Sequence, residues 1–407
     1  MNIRQTAIAV ALAFTLSVPV AAAGTAAAAP HAGSAAAAPK ALPDAADPAD
    51  RSVPDLRLPS PGGRYAIGRD TLHLTDRGRP DPWVPAAGAR ELMVDLYYPA
   101  RPGGGTPAGY MTTEEARLLL ESRRLDGVVP AEAVSAVATH GRTGARPLPG
   151  KHPLVVLSPG FTVSRHTLTL LAEELASRGY VVAAVDHAYE SVGTLFPGGD
   201  GGGRMLTCVA CTKTKETGMA AVAEGRAKDI SFLLDRLTGR KPAWRHANLI
   251  DRKRIGAAGH SIGGNSAAQA MATDRRVRAG ANMDGTFFAE MPPEGLDGRP
   301  FLMLGTDDET HRPGGTDGSW MRAWQRLDGW KGWLTVTGSG HFTFTDLPVF
   351  GEQLGLPDPE APLSGTRSAE ITRDYVGAFF DQQLRGIPQP LLTGPTPGNP
   401  EVKFNRP

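Results

Sequence analysis

Only two cysteines occur in 407 residues, so a disulfide scaffold is excluded and one intramolecular bridge is the most the chain can form. Neither sign of charge prevails. Lys and Arg number 43 against 42 Asp and Glu, a formal net charge of +1. Nucleic-acid binding calls for a basic patch or stripe facing phosphates, and no charge cluster here supplies one. An unbroken apolar run of the roughly 20 residues that span a bilayer is missing as well. What remains is a globular composition, 41% hydrophobic and 21% charged. That is enough apolar material for a sizeable core, and it excludes disorder throughout.

The first residues are set apart by their layout. A short basic start with Arg4, an apolar run from Thr6 to Val20 and the small residues Ala21, Ala22 and Ala23 form the three parts of a secretory signal peptide, residues 1–23. Residues 24–60 are rich in Ala, Pro and Asp without apolar periodicity and read as a disordered leader. The expectation is a secreted, extracellular protein whose catalytic domain occupies 61–390, followed by a Pro-rich tail, 391–407, on the surface.

From Pro61 onward short apolar runs alternate with amphipathic stretches, the pattern of helices on both faces of a mostly parallel central sheet, an α/β fold. Strands are expected at Leu92–Tyr98, Pro153–Leu157, Tyr180–Val185, Arg254–Gly259, Val277–Met283, Pro300–Gly305 and Trp333–Thr337. Helices are expected at Thr167–Arg178, Met219–Leu237, Gly263–Thr273 and Ala369–Leu384. Two stretches, about 103–150 and 190–217, break the alternation and sit at strand ends, where substrate walls and lids form.

The chemistry centres on Gly259, His260, Ser261, Ile262 and Gly263. G-x-S-x-G alone is a weak signal, but here a short buried strand leads into the serine and a small-residue helix leaves it, the setting of a nucleophile elbow. A serine hydroxyl is a poor nucleophile near neutral pH and needs a base, itself oriented by a carboxylate. In this arrangement the base comes last in the chain. His341, in the small-residue loop after the Trp333 strand, fits; His311 lies in a polar loop with no such placement, and His260 is too close in sequence to reach Ser261. For the acid, Asp284 ends one strand, whereas Asp307 and Asp308 end the next, and spacing does not separate them. The oxyanion donors are expected at the backbone N–H of Ile262 and of Phe161, the latter in the Ser-Pro-Gly-Phe turn after the Pro153 strand. Cys208 and Cys211 lack the further ligands of a zinc site and the βαβ setting of a redox motif. Export points to a local disulfide between them.

GHSIGG, the NMDGTFF segment whose Asp284 follows the serine by 23 residues, and GSGHFTFTD ending in Asp346 together resemble the bacterial relatives of the secreted platelet-activating-factor acetylhydrolases. The resemblance covers roughly Tyr97 to Gly386 and implies Asp284 as the acid. The SPGF turn and its following helix are similar to actinobacterial cutinases and triacylglycerol lipases, which implies instead the acid at GTDD, Asp307 or Asp308.

The reading is an α/β-hydrolase that cleaves short- to medium-chain carboxylic esters through an acyl-enzyme, taking a small-molecule or lipid ester as substrate. No cofactor or metal is implied, no nucleic acid and no membrane span, and the expected state is a monomer. A cutinase-like polyesterase, a triacylglycerol lipase or an acyltransferase could use the same residues. A catalytically silent hydrolase fold used for binding is the alternative from a different class.

Overall fold

The structure, a computed structural model, describes residues 54–198 and 201–407. The expected signal peptide and nearly all of the expected leader lie outside the described residues. Thirteen strands are described: β1 Ala66–Pro80, β2 Ala89–Ala100, β3 Thr106–Pro107, β4 Gly141–Thr143, β5 His152–Ser158, β6 Val181–His187, β7 Thr194–Pro197, β8 Gly203–Leu206, β9 Ile250–His260, β10 Val277–Met283, β11 Phe301–Thr306, β12 Lys331–Val336 and β13 Val402–Asn405. The helices are α1 Thr113–Ser122, α2 Ala131–Ser135, α3 Thr169–Arg178, α4 Ala210–Thr238, α5 Ile262–Thr273, α6 Gly318–Arg326, α7 Leu347–Gln353 and α8 Gly365–Arg385.

Eleven strands form one sheet in the order β13-β12-β11-β10-β9-β5-β6-β2-β1-β4-β3. From β12 across to β6 all neighbours are parallel. Alternate residues of the central strands leave the sheet on opposite sides. Leu154 and Val156 pack with α4, α5 and α6, and Val155 and Leu157 pack with α3 and α8. On the second side Ile371, Phe379 and Phe380 of α8 are fully buried, each contributing about 1.5–3 kcal/mol by leaving water. This is the α/β-hydrolase architecture. The chain runs from β5 outward to β6 and then returns to place β9 on the other side of β5, so a crevice opens at the strand ends where the winding reverses.

Two expectations are corrected and two elements are added. The tail does not lie loosely on the surface: β13 pairs antiparallel with β12, and Val402 is buried. The fold also begins before Pro61, because Leu56 and Leu58 are buried in a cluster with α1 and α7. Within the 190–217 stretch β7 and β8 pair antiparallel, and the first turns of α4 follow. The N-terminal half of the fold gains a long strand, β1, paired antiparallel with β2. Its mostly polar, half-exposed sequence concealed it.

Candidate active site

Ser261 stands between β9 and α5 with φ 55° and ψ −128°, a conformation that costs an L-residue about 1–3 kcal/mol. Hydrogen bonds hold it there. The Ser261 N–H donates to the Met283 carbonyl at 2.7 Å, and the Gly264 N–H donates to the Ser261 carbonyl at 2.9 Å. Gly263 is required by close approach, since a Cβ there would fall 2.0 Å from the Ser158 carbonyl oxygen at the end of β5. The hydroxyl is thus lifted out of the sheet edge by a turn that the neighbouring strands lock in place.

Asp284 follows β10 with φ 59°. Asn282 braces the turn from both sides: its Nδ2 donates to the Gly285 carbonyl at 2.7 Å, and its Oδ1 accepts the Gly285 N–H at 2.9 Å. His341 follows β12. His260, fully buried, donates its Nε2–H to the His341 carbonyl at 2.6 Å, and the two rings lie 4.7 Å apart. Burial, followed by the nearby His341, pushes the His260 imidazole down to about 3. It therefore remains a neutral brace for the loop beside it.

These elements bring Ser261, His341 and Asp284 together. His341 Nδ1 is 2.7 Å from Asp284 Oδ2, and its Nε2 is 3.0 Å from Ser261 Oγ. An ionised carboxylate only accepts, so Nδ1 carries the hydrogen and the Nε2 lone pair faces the serine hydroxyl. Asp284 is 1% exposed whereas the His341 side chain is 46% exposed, placing the acid beneath a base at the mouth of the crevice. Burial by itself would raise the Asp284 pKa. The positive charge of His311, the His341 hydrogen bond and the Thr306 N–H outweigh it and hold the carboxyl well below its usual range.

Asp307 and Asp308 are not brought to His341. Asp307 meets Lys403 on β13 together with Thr335 and Thr337. Asp308 accepts from Thr306 Oγ1 at 2.8 Å and closes the turn to His311. His311 itself departs from expectation: it is buried, and its Nδ1 lies 3.3 Å from Asp284 Oδ1 and 3.2 Å from Asp308 Oδ1. Two histidines thus share Asp284, one on each carboxylate oxygen.

The Ser158–Phe161 turn closes the other side. A Cβ on Gly160 would fall 3.4 Å from Ser261 Cβ, so this turn lies against Ser261. Among the described residues the N–H groups of Phe161 and Ile262 have no intramolecular acceptor. Two unspent donors beside a serine at a helix N-terminus can receive a developing oxyanion. Beneath the turn, Arg226 Nη1 donates to the Pro159 carbonyl at 2.5 Å. Ser158 Oγ lies 3.0 Å from His187 Nε2, whose Nδ1 lies 2.8 Å from Asp229. That second serine–histidine–aspartate alignment is wholly buried and offers no substrate access. The Cys208–Cys211 disulfide clasps the start of α4, and this segment packs beside Ile262 and Phe161.

Comparison with known proteins finds ester-hydrolysing relatives. A family model described as platelet-activating factor acetylhydrolase, isoform II, matches residues 58–196. A solved structure titled as a ferulic acid esterase from Streptomyces cinnamoneus is 46% identical with a TM-score of 0.76, covering 86% of this chain and 99% of its own. The chain belongs to the same esterase family as that solved structure. Another such relative, a probable 1-alkyl-2-acetylglycerophosphocholine esterase from Arthroderma benhamiae, is 28% identical over 385 residues, 87% of this chain and 95% of its own. A bis(hydroxyethyl) terephthalate hydrolase from Streptomyces coelicolor is 29% identical over 164 residues, 40% of this chain and 42% of its own. No helix among the described residues of this esterase-family chain is long and apolar enough to cross a membrane.

Sequence reasoning missed Asn282, Thr306 and His311, which hold the acid, and Arg226, which holds the Pro159 turn. Thr306, His311 and Arg226 act through partners distant in the chain, whereas Asn282 braces a turn three residues on.

Proposed function

We propose that the chain is an exported serine hydrolase of carboxylic esters. Ser261 attacks the ester carbonyl while His341 Nε2 takes its proton, and Asp284 fixes the tautomer and balances the imidazolium. The Phe161 and Ile262 N–H groups receive the oxyanion, each worth about 3 kcal/mol in the transition state. The protonated His341 returns its proton to the leaving alcohol, and water, activated by the same base, then releases the acid from Ser261. The observation that carries this reading is His341 bridging Ser261 and Asp284 within hydrogen-bond distance of both.

The substrates proposed are esters of short or medium acyl chains, because each buried methylene of a long chain must find about 0.8 kcal/mol of apolar groove and the 190–217 segment is dominated by Gly, Thr and Lys. A second reading, cleavage of aromatic hydroxycinnamate esters, is favoured by the 46% identity to the ferulic acid esterase. Ser261→Ala tests the mechanism: turnover of p-nitrophenyl acetate should fall on the order of 10⁴-fold or more with the far-UV spectrum unchanged. Retention of most activity would refute it. A kcat/KM series from acetyl to palmitoyl esters, with methyl ferulate alongside, separates the substrate readings.

A further inference from the structure

Arg123 follows α1 in the 103–150 segment and is 8% exposed. Its Nε is buried without a hydrogen-bond partner, and neither Nη has a partner among the described residues, although both keep contact with solvent. No carboxylate among the described residues offsets the charge, and burial pushes the guanidinium down to about 10. The other buried arginines, Arg69, Arg90, Arg165, Arg226 and Arg299, each meet a carboxylate. Buried charges are ordinarily paired, because an unpaired ion in a low-dielectric site is strongly unfavourable. A cation just beyond a helix C-terminus gains from the helix dipole, but that gain is small beside the loss of water.

Its position is specific. The guanidinium carbon lies 4.0 Å from the centre of the Phe342 ring. That ring meets His341 edge-on at 5.3 Å and lies 5.6 Å from His260. The Arg123 charge is among those that keep His260 neutral, so it is felt at the base loop. A leaving alcohol must sit on the His341 side of Ser261, since His341 Nε2 supplies its proton. Arg123 is linked to His341 through the Phe342 ring.

Resting on the serine-esterase reading above, we propose that Arg123 is a specificity residue that binds an oxyanionic group, phosphate or carboxylate, carried on the alcohol portion of the ester. The planar guanidinium offers its Nη atoms to two oxygens of such a group. Its stacking on Phe342 fixes the plane, and the ligand supplies the counter-charge that the fold omits.

Two matched pairs of acetyl esters test this on the whole protein. 4-Acetoxybutanoate is compared with 4-acetoxybutanamide, and 3-acetoxypropyl phosphate with its neutral dimethyl phosphate ester. The wild type should favour the charged member of at least one pair by about tenfold or more in kcat/KM, mainly through KM. The pair with the larger ratio identifies the anion. Arg123→Gln should cut that ratio about tenfold, and Arg123→Lys, which keeps the charge without the fork, should retain part of it. Turnover of the neutral esters with charged-to-neutral ratios near one overturns this proposal alone, as does an unchanged ratio in Arg123→Gln. The wild-type ratios decide even if a variant fails to fold. Absence of turnover on all four esters, with no fluorophosphonate label on Ser261, overturns the esterase reading and this proposal with it.

Discussion

Replacing Asp284 by Asn removes one charge and almost no volume, yet the hydrogen bonds around it permit only one orientation of the new amide. Asp284 Oδ1 accepts the Thr306 N–H at 2.7 Å, while Oδ2 faces His341 Nδ1. A backbone N–H cannot turn away, so the amide oxygen of Asn must take the Thr306 side. Its NH₂ then faces His341 Nδ1, which must become the acceptor, and the hydrogen moves to Nε2. A protonated Nε2 cannot receive the Ser261 proton. The expected loss in kcat is roughly 10⁴-fold, about 5.4 kcal/mol of transition-state stabilisation. Asp307→Asn, which touches Lys403, Thr335 and Thr337 instead, should change kcat by less than about threefold. The assay is p-nitrophenyl acetate turnover, with the folded fraction set by near-UV circular dichroism. An Asp284→Asn loss below about tenfold, or a larger loss in Asp307→Asn, refutes the tautomer argument.

Three further outcomes are expected. Asp346 is buried beside Tyr110 and the Leu170 N–H, and burial pushes it up to about 8 despite those hydrogen bonds. The folded state therefore holds a proton that the unfolded state releases above about pH 4, so stability falls as pH rises toward 8. Asp346→Asn should accordingly raise Tm relative to the wild type more at pH 8.5 than at pH 5, and an equal shift at both contradicts it. Cys208→Ser with Cys211→Ser opens a very small ring, so global stability should drop by no more than about 2 kcal/mol in a urea titration; a larger drop would give the bond a wider structural role. Peptide mapping after fluorophosphonate treatment should find the label on Ser261 and none on Ser158, because Ser158 has no exposure. A label on Ser158 would mean that the buried alignment opens.

Val277–Met283 was legible residue for residue because a buried parallel strand is a short apolar run with clear ends. The strand β1 was not, since most of Arg69–Pro80 alternates with solvent and carries Asp, Arg and Thr on its outer side. The tail strand was hidden by the prolines around it, although Val402 and Phe404 both pack toward the core. The first turns of α4 are largely exposed, so no apolar period announced them. At the candidate site, Ser261 had a motif and His341 had chain order, whereas Asp284 could be preferred to Asp307 only through family resemblance. Arg123 beside Phe342, and His311 beside Asp284, are contacts between segments far apart in sequence. Neither residue type nor spacing encodes them.

The antiparallel strand β13 also sets a sequence of events. Its residues, 402–405, are synthesised after every other strand of the sheet, yet they cover the open flank of β12, the strand that delivers His341. Until they arrive, β12 presents unpaired amides and carbonyls that another chain can occupy. The same dependence makes this short segment a weak point, since a cleavage that removed it would strip the flank of β12 without touching any residue of the crevice.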